Sequence, residues 1–328
     1  MNILKNTPVL VTGASGLVGS WLVKELLNTG VDVSILLLDH DPHSELIRSK
    51  DIQRCKVYSG DLRDMFSVRR AVVDSQPEII FHLGAQTIVG NALVDPISTF
   101  ESNIQGTWNL LESVRTSQLK RCAIVVASSD KAYGTSEVLP YHEDTPLLGE
   151  GPYDVSKSCT DLIARSYFLT YGLNIAIARC GNIYGGGDLN WSRIVPGAIS
   201  DLLKGNTTKI RSNGLFLRDY LYVKDVVAAY IQIAGSLMTG SNSGEAFNIS
   251  REEPISVLDI YRTISLLVRG SYMEPVVLNE AHGEIVNQHL SSKKARELLH
   301  WESRYPLQEG LNETIEWYKN YFSFQNVS

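Results

Sequence analysis

Tyr153 and Lys157 are four residues apart, so on a helix they share a face. A nearby ammonium favours the ionised phenol and lowers its pKa. A phenolate so prepared takes a proton from an alcohol while hydride leaves the same carbon. Upstream, the apolar run Cys122 to Ala127 leads into Ser128-Ser129-Asp130-Lys131. Ser129 offers a hydroxyl to hold the reacting oxygen. Asp130 can protonate a leaving hydroxyl if burial raises its pKa. Lys131 can act as a base if its ammonium is desolvated and held neutral. The alternative is that Asp130 and Lys131 form a structural ion pair at a strand end. The YxxxK pair is common by chance, and its weight comes from its position after the fifth apolar run.

A second constellation sits near the start. Thr12-Gly13-Ala14-Ser15-Gly16-Leu17-Val18-Gly19 gives GxxGxxG between an apolar run and a helical pattern. Gly13 permits a tight turn, Gly16 lets backbone approach a pyrophosphate, and Gly19 lets the helix pack closely on the sheet. The helix N-terminus brings free N–H groups and a partial positive charge to phosphates. Gly13, Ser15, Gly16, Leu17, Val18 and Gly19 are therefore the candidate dinucleotide-binding residues of this turn. Asp39 lies about twenty residues beyond the last glycine, where a carboxylate binds the adenosine ribose 2′-OH and repels a 2′-phosphate. NAD is thus favoured over NADP, unless Asp39 merely opens the turn Asp39-His40-Asp41-Pro42. Asp61 follows a third strand end, within reach of an adenine.

The elements that must carry these groups alternate. Apolar runs at Pro8–Thr12, Val33–Leu38, Lys56–Tyr58, Glu78–Leu83, Cys122–Ala127 and Asn174–Ala178 read as strands covered on both faces, as in a parallel sheet. Leu17, Val18, Trp21, Leu22 and Leu26 follow a helical period, with Gly30 as a stop. The expected fold is α/β, a doubly wound parallel (Rossmann) sheet over residues 1–180. Residues 181–328 form a smaller, mainly substrate-binding region, with some segments returning to the first domain. His82, at a strand end, reads as packed and hydrogen-bonded rather than catalytic.

The chain of 328 residues is long enough for a sizeable core. Its formal net charge of −6 argues against a general nucleic-acid binder, which needs a basic face. The four cysteines, Cys55, Cys122, Cys159 and Cys180, form no CxxC pair and lie at no zinc-ligand spacing to histidine, so they read as structural and no metal site is expected. No apolar run nears the ~18 residues of a membrane span. The first strand begins almost at once, leaving no room for a signal peptide, which makes a reducing cytoplasm the expected compartment.

Taken together, TGASGLVG, Gly60-Asp61-Leu62, His82-Leu83-Gly84-Ala85-Gln86, Asn103 with Gly106-Thr107, YxxxK and Arg218-Asp219-Tyr220-Leu221-Tyr222-Val223-Lys224-Asp225 resemble an extended short-chain dehydrogenase/reductase of the nucleotide-sugar branch, over nearly the full chain. The resemblance implies bound NAD, a Ser129–Tyr153–Lys157 triad, and a homodimer built through a four-helix bundle. It adds Leu62, Leu83, Gly84, Ala85, Gln86 and Asn103 to the cofactor residues, together with Tyr153 and Lys157. It makes Arg218 the main candidate for the substrate diphosphate, with Asn182 and Arg193 beside it; an arginine fork suits phosphate oxygens, though Arg193 also reads as a solvated surface residue.

Within the branch the chain most resembles sugar-nucleotide 4,6-dehydratases. These carry Thr-Asp-Glu where Ser129-Asp130-Lys131 stands, and the lysine resembles the CDP-glucose 4,6-dehydratase type. Gly181-Asn182 through Gly185-Gly186-Gly187-Asp188, and Gln288-His289-Leu290-Ser291 before Lys294-Ala295-Arg296, agree with that type. RDYLYVKD is more like dTDP-sugar dehydratases and 4-epimerases. The implied reaction oxidises C4, removes water across C5–C6 and returns hydride to C6, giving a 4-keto-6-deoxy sugar nucleotide. A 4-epimerase is the nearest rival, since it needs Ser, Tyr and Lys but no acid after the serine. A non-catalytic NAD-binding protein is the remote one, because fold alone does not establish function.

Overall fold

The computed structural model describes Leu4, residues 7–280 and residues 285–325. The remainder of the lead-in to the first strand, read above as too short for a leader, lies outside the described residues.

Seven parallel strands form the central sheet. The first six in the chain are β1 (Pro8–Thr12), β2 (Asp32–Leu37), β3 (Lys56–Ser59), β4 (Ile79–His82), β5 (Ala123–Ser129) and β6 (Ile175–Cys180). The order across the sheet is Ala246–Ile249, β6, β5, β4, β1, β2, β3. The register places Val11 beside Ile35 on one side and Phe81 on the other, and Phe81 beside Val125. The chain reverses its direction of travel between β1 and β4, and a crevice opens there at the carboxyl ends of the strands, the usual ligand position in such sheets.

One face of the sheet is covered by the helices Leu17–Asn28 and Val223–Met238, which pack Leu22, Val23, Leu26, Val226 and Ile233 onto the sheet residues Val9, Val11 and Ile35. The helices Met65–Ser75, Gly106–Thr116 and Pro152–Tyr171 cover the other face. Local chemistry sets their ends. The Asp64 carboxylate accepts from the N–H groups of Phe66 at 3.0 Å and Ser67 at 3.2 Å, capping the helix that follows. Pro152 occupies the first turn of its helix, and Gly172 closes it in the left-handed region.

A smaller layer packs the helices Ile194–Lys204, Val257–Arg269 and Leu307–Gln325 around the short strand Tyr220–Tyr222. Residues beyond 180 do not all lie there. The strand Ala246–Ile249, the helix Val223–Met238, Leu299 and Trp301 belong to the main sheet and its core.

Several strand readings change. β3 is an edge strand with only Tyr58 buried, so it is not covered on both faces; an edge lacks a neighbour to bury it. β5 runs on to Ser129 and β6 to Cys180, past the expected end at Ala178, because Ser128 and Ser129 pair with Arg179 and Cys180. β2 stops at Leu37, leaving Asp39 in the following loop.

Candidate active site

The crevice is a cavity of about 1330 Å³ whose wall includes both the glycine turn and Arg218. The glycine turn has the form of a phosphate cradle. Gly13 adopts φ +71°, and a methyl there would lie 2.6 Å from the Gly84 nitrogen. A methyl at Gly19 would lie 2.1 Å from the Gly13 carbonyl oxygen. Gly19 therefore seats the helix on the turn itself rather than on the sheet. The helix begins at Leu17 with no side-chain cap and no acidic residue in its first turn, which leaves its N–H groups for an anion. These features fit a dinucleotide pyrophosphate.

Ser15, Gly16, Leu17 and Val18 share this wall, as do Asp39, Asp61, Leu62, Leu83, Gly84, Ala85 and Gln86. In the loop after β2, Asp41 makes the turn, its carboxylate accepting from the His43 N–H at 2.8 Å. Asp39 does not open that turn and its side chain is exposed. Asp61 is held in a fork by Arg63 at 2.9 and 2.6 Å, and that bond keeps its carboxyl below the usual range.

Asn103 is placed differently from the rest. It is 2% exposed and stands behind the wall. Its amide donates to the Gln86 carbonyl at 2.9 Å and its oxygen accepts from the Gln86 N–H at 2.7 Å. It clamps the Gln86 loop rather than touching a ligand, because the one-turn π-helix Glu101–Gln105 turns it inward. His82 is also internal, bridging Thr12 at 2.9 Å and Thr107 at 3.1 Å. Burial holds its imidazole down to about 3, hence neutral.

The catalytic candidates converge at the end of β5. Ser129 donates to Asp130 at 3.0 Å and accepts from the Lys131 N–H at 3.2 Å, capping the short turn Asp130–Tyr133. Asp130 is 3% exposed, and burial raises its carboxyl above the usual range against the pull of Lys131, Ser129 and Arg218. Lys131 is half-buried. Its charge acts on Asp154 as well as on Asp130, so a simple pair at a strand end does not describe it.

Tyr153 and Lys157 share the buried face of the helix Pro152–Tyr171, but the ammonium does not lower the phenol as the spacing implies. Burial pushes Tyr153 up to about 12, and the opposing influences are Arg193 and a hydrogen bond with Ser129. Lys157 gives its ammonium to the Ala127 carbonyl at 2.9 Å, and burial brings it down to about 8. Desolvation outweighs a neighbouring charge when both groups are inside.

Arg218 is 6% exposed, donates to the carbonyls of Leu217 and Val286 at 2.9 Å, and lines the cavity. Asn182 is on the same wall. Arg193 is both a wall residue and partly solvated, with 43% of its side chain exposed and a 3.2 Å pair to Asp188. Among the wall residues that escaped the sequence reading, two polar ones stand beside the catalytic candidates. Asp154 adjoins Tyr153 in the motif and was readable there. Ser128 has a buried hydroxyl without a hydrogen-bond partner, and only the doublet Ser128-Ser129 hints at it. The four cysteines are free thiols. Among the described residues no helix is long and apolar enough to cross a membrane, and no three His, Cys, Asp or Glu side chains group as metal ligands.

A parallel sheet with a glycine cradle, and a Ser–Tyr–Lys set where the end of β5 meets the helix Pro152–Tyr171, define an extended short-chain dehydrogenase/reductase. Residues 10–314 match the family described as GDP-mannose 4,6 dehydratase, and the chain belongs to that family. It is 30% identical to CDP-glucose 4,6-dehydratase of Salmonella typhimurium, over 97% of this chain and 92% of the relative. It is also 30% identical to UDP-glucose 4-epimerase of Mycolicibacterium smegmatis, over 95% and 98% of the two chains. Among solved structures, dTDP-glucose 4,6-dehydratase of Bacillus anthracis in complex with NAD superposes with a TM-score of 0.82 at 25% identity, covering 95% of this chain and 96% of that one. UDP-glucose 4-epimerase of Thermotoga maritima with UDP-glucose gives 0.86 at 27% identity, covering 96% and 99%.

Proposed function

We propose that this protein is an NAD-dependent nucleotide-sugar 4,6-dehydratase, with a CDP-glucose-like substrate favoured. The carrying observation is Asp130, a buried carboxyl raised by desolvation and hydrogen-bonded to Ser129, two strands from the glycine cradle. Family membership and the dehydratase relatives support the class; the NAD-bound neighbour and the cradle support the cofactor.

The residues from Gly13 to Gly19 would hold the pyrophosphate, and Asp39 and Asp61 the adenosine end. NAD, when bound, supplies a hydride acceptor and donor beside the sugar. Ser129 holds the C4 oxygen, and Tyr153 is the group placed to take the proton from it. Once C4 is a ketone, the C5 proton is acidic. Lys131, or a water it orients, removes that proton, and Asp130 gives a proton to the C6 hydroxyl, which leaves as water. The same base is placed to return a proton to C5, which with hydride at C6 would complete the 6-deoxy product. Lys157, anchored on Ala127, fixes the helix that carries Tyr153. Arg218, Asn182 and Arg193 bind the diphosphate. Orientation of this kind is worth several orders of magnitude in rate.

Residues 1–180 serve the cofactor and 181–328 mainly the substrate, less the segments that return to the sheet. A cytoplasmic homodimer is the proposed form. Trp108, Leu162, Leu169 and Tyr171 are exposed apolar side chains on the helices Gly106–Thr116 and Pro152–Tyr171, which suits helix-to-helix pairing between two copies.

The second reading is a 4-epimerase, favoured by the UDP-glucose 4-epimerase likenesses. Incubation with CDP-glucose, dTDP-glucose, UDP-glucose and GDP-mannose, followed by mass analysis of products, separates the two. Loss of one water supports the dehydratase; an isomer of unchanged mass overturns it in favour of the epimerase.

A further inference from the structure

Arg179 lies on β6, is 5% exposed, and is not part of the cavity wall. Its guanidinium forms a fork with Asp161, Nε to Oδ2 at 2.7 Å and Nη2 to Oδ1 at 2.8 Å. Asp161 belongs to the helix of Tyr153 and Lys157, one turn beyond the lysine. The remaining guanidinium nitrogen donates to the Tyr133 hydroxyl at 2.8 Å and to the Glu143 carbonyl at 2.9 Å. Tyr133 closes the short turn that opens with Asp130 and Lys131. Its hydroxyl donates onward to Asn248 Oδ1 at 2.7 Å, and Asn248 donates to the Tyr141 carbonyl at 3.0 Å. The Tyr133 and Tyr141 rings stack with centroids 4.8 Å apart, and Arg179 lies over the Tyr133 ring at 5.0 Å.

One buried cation thus joins the two elements that carry the chemistry. Its fork holds the helix of the proton acceptor, and its third nitrogen holds the turn of the acid and base. A fork is directional in a way an ammonium is not, and a network buried with every member satisfied keeps a single arrangement.

We propose that Arg179 and Tyr133 are positioning residues that set the Asp130–Lys131 turn against the Tyr153 helix, so that their loss impairs removal of water more than oxidation at C4. This rests on the dehydratase reading for its chemistry, though not for its geometry. A misplacement of about 1 Å in a catalytic group costs up to about 100-fold in rate. C4 oxidation draws on Ser129 and Tyr153, and Ser129 is held in the sheet by its pairing with Cys180. Elimination draws on the turn itself.

The test compares wild type, Tyr133→Phe and Arg179→Lys. Hydrogen exchange read by mass spectrometry needs no substrate. Amides of residues 130–134 should exchange roughly tenfold faster in both variants, while in Tyr133→Phe, which keeps the Asp161 fork, those of residues 152–157 stay as in wild type. Single turnovers with CDP-glucose then follow C4 oxidation by reduced-nicotinamide absorbance and water loss by product mass. Water loss should slow about 10- to 100-fold, with oxidation and KM little changed. Wild-type exchange in the turn overturns the proposal, as does loosening of the helix to the same extent in Tyr133→Phe, or equal slowing of both steps in that variant. If wild type leaves CDP-glucose unchanged, that part of the dehydratase reading fails, and the exchange result alone decides the positioning role.

Discussion

Lys157 donates its ammonium to the main-chain carbonyl of Ala127 across 2.9 Å. The bond ties the middle of a helix to the last turn-side residues of β5, two positions before Ser129. Tyr153, one helical turn earlier, is thereby set beside Ser129, with Arg193 as the cation that most opposes its burial. The helix face and the strand end form one unit, and single substitutions in it have separable outcomes.

Tyr153→Phe removes the proton acceptor and leaves the helix. With the sugar nucleotide that wild type converts, kcat should fall by about 100- to 10,000-fold, while NAD binding by calorimetry and the melting temperature stay near wild type. A variant as active as wild type would favour a non-catalytic role.

Asp130→Asn keeps the size of the buried group and removes the acid. C4 oxidation should persist, seen as reduced-nicotinamide absorbance, while release of the dehydrated product falls about 100-fold or more. Unchanged product formation would move the acid role elsewhere, with Asp154 the next carboxyl on the wall.

Gly19→Ala places a methyl 2.1 Å from the Gly13 carbonyl oxygen, and the turn must shift to admit it. Overpacking of this sort costs about 1–3 kcal/mol. A lower melting temperature should accompany loss of NAD affinity in calorimetry, because the cradle and the packing share the same atoms. Loss of stability with intact affinity would separate the turn from the cofactor.

His82 is held neutral, its folded value about 3 against an ordinary 6.5. Above pH 6.5 it is neutral in both states and contributes no slope. As pH falls from 6.5 towards 3 the unfolded chain binds a proton that the folded one refuses, so stability declines by up to about 1.4 kcal/mol per pH unit. Denaturant unfolding of His82→Asn from pH 7 to pH 4 should show that much less slope than wild type. Equal slopes would mean that His82 takes up its proton in the folded state.

Much of this was legible in the residues themselves. The glycine spacing at Gly13, Gly16 and Gly19 and the apolar runs announce the cradle and the parallel sheet, because a tight turn and a strand buried on both faces each demand particular side chains locally. The pairing of Tyr153 with Lys157 on one face follows from helical geometry alone. Arg179 could not be read: its partners Asp161, Tyr133 and Glu143 come from separate elements, and nothing in its own neighbourhood marks it. The charge states were likewise beyond spacing. Tyr153 near 12, Lys157 near 8 and a raised Asp130 depend on how completely water is removed, and that is decided only when sheet, helix and covering layer close around them. The same burial turns Asn103 from a wall residue into a clamp behind the wall, since the inward turn of its helix is a tertiary choice and not a property of the residue.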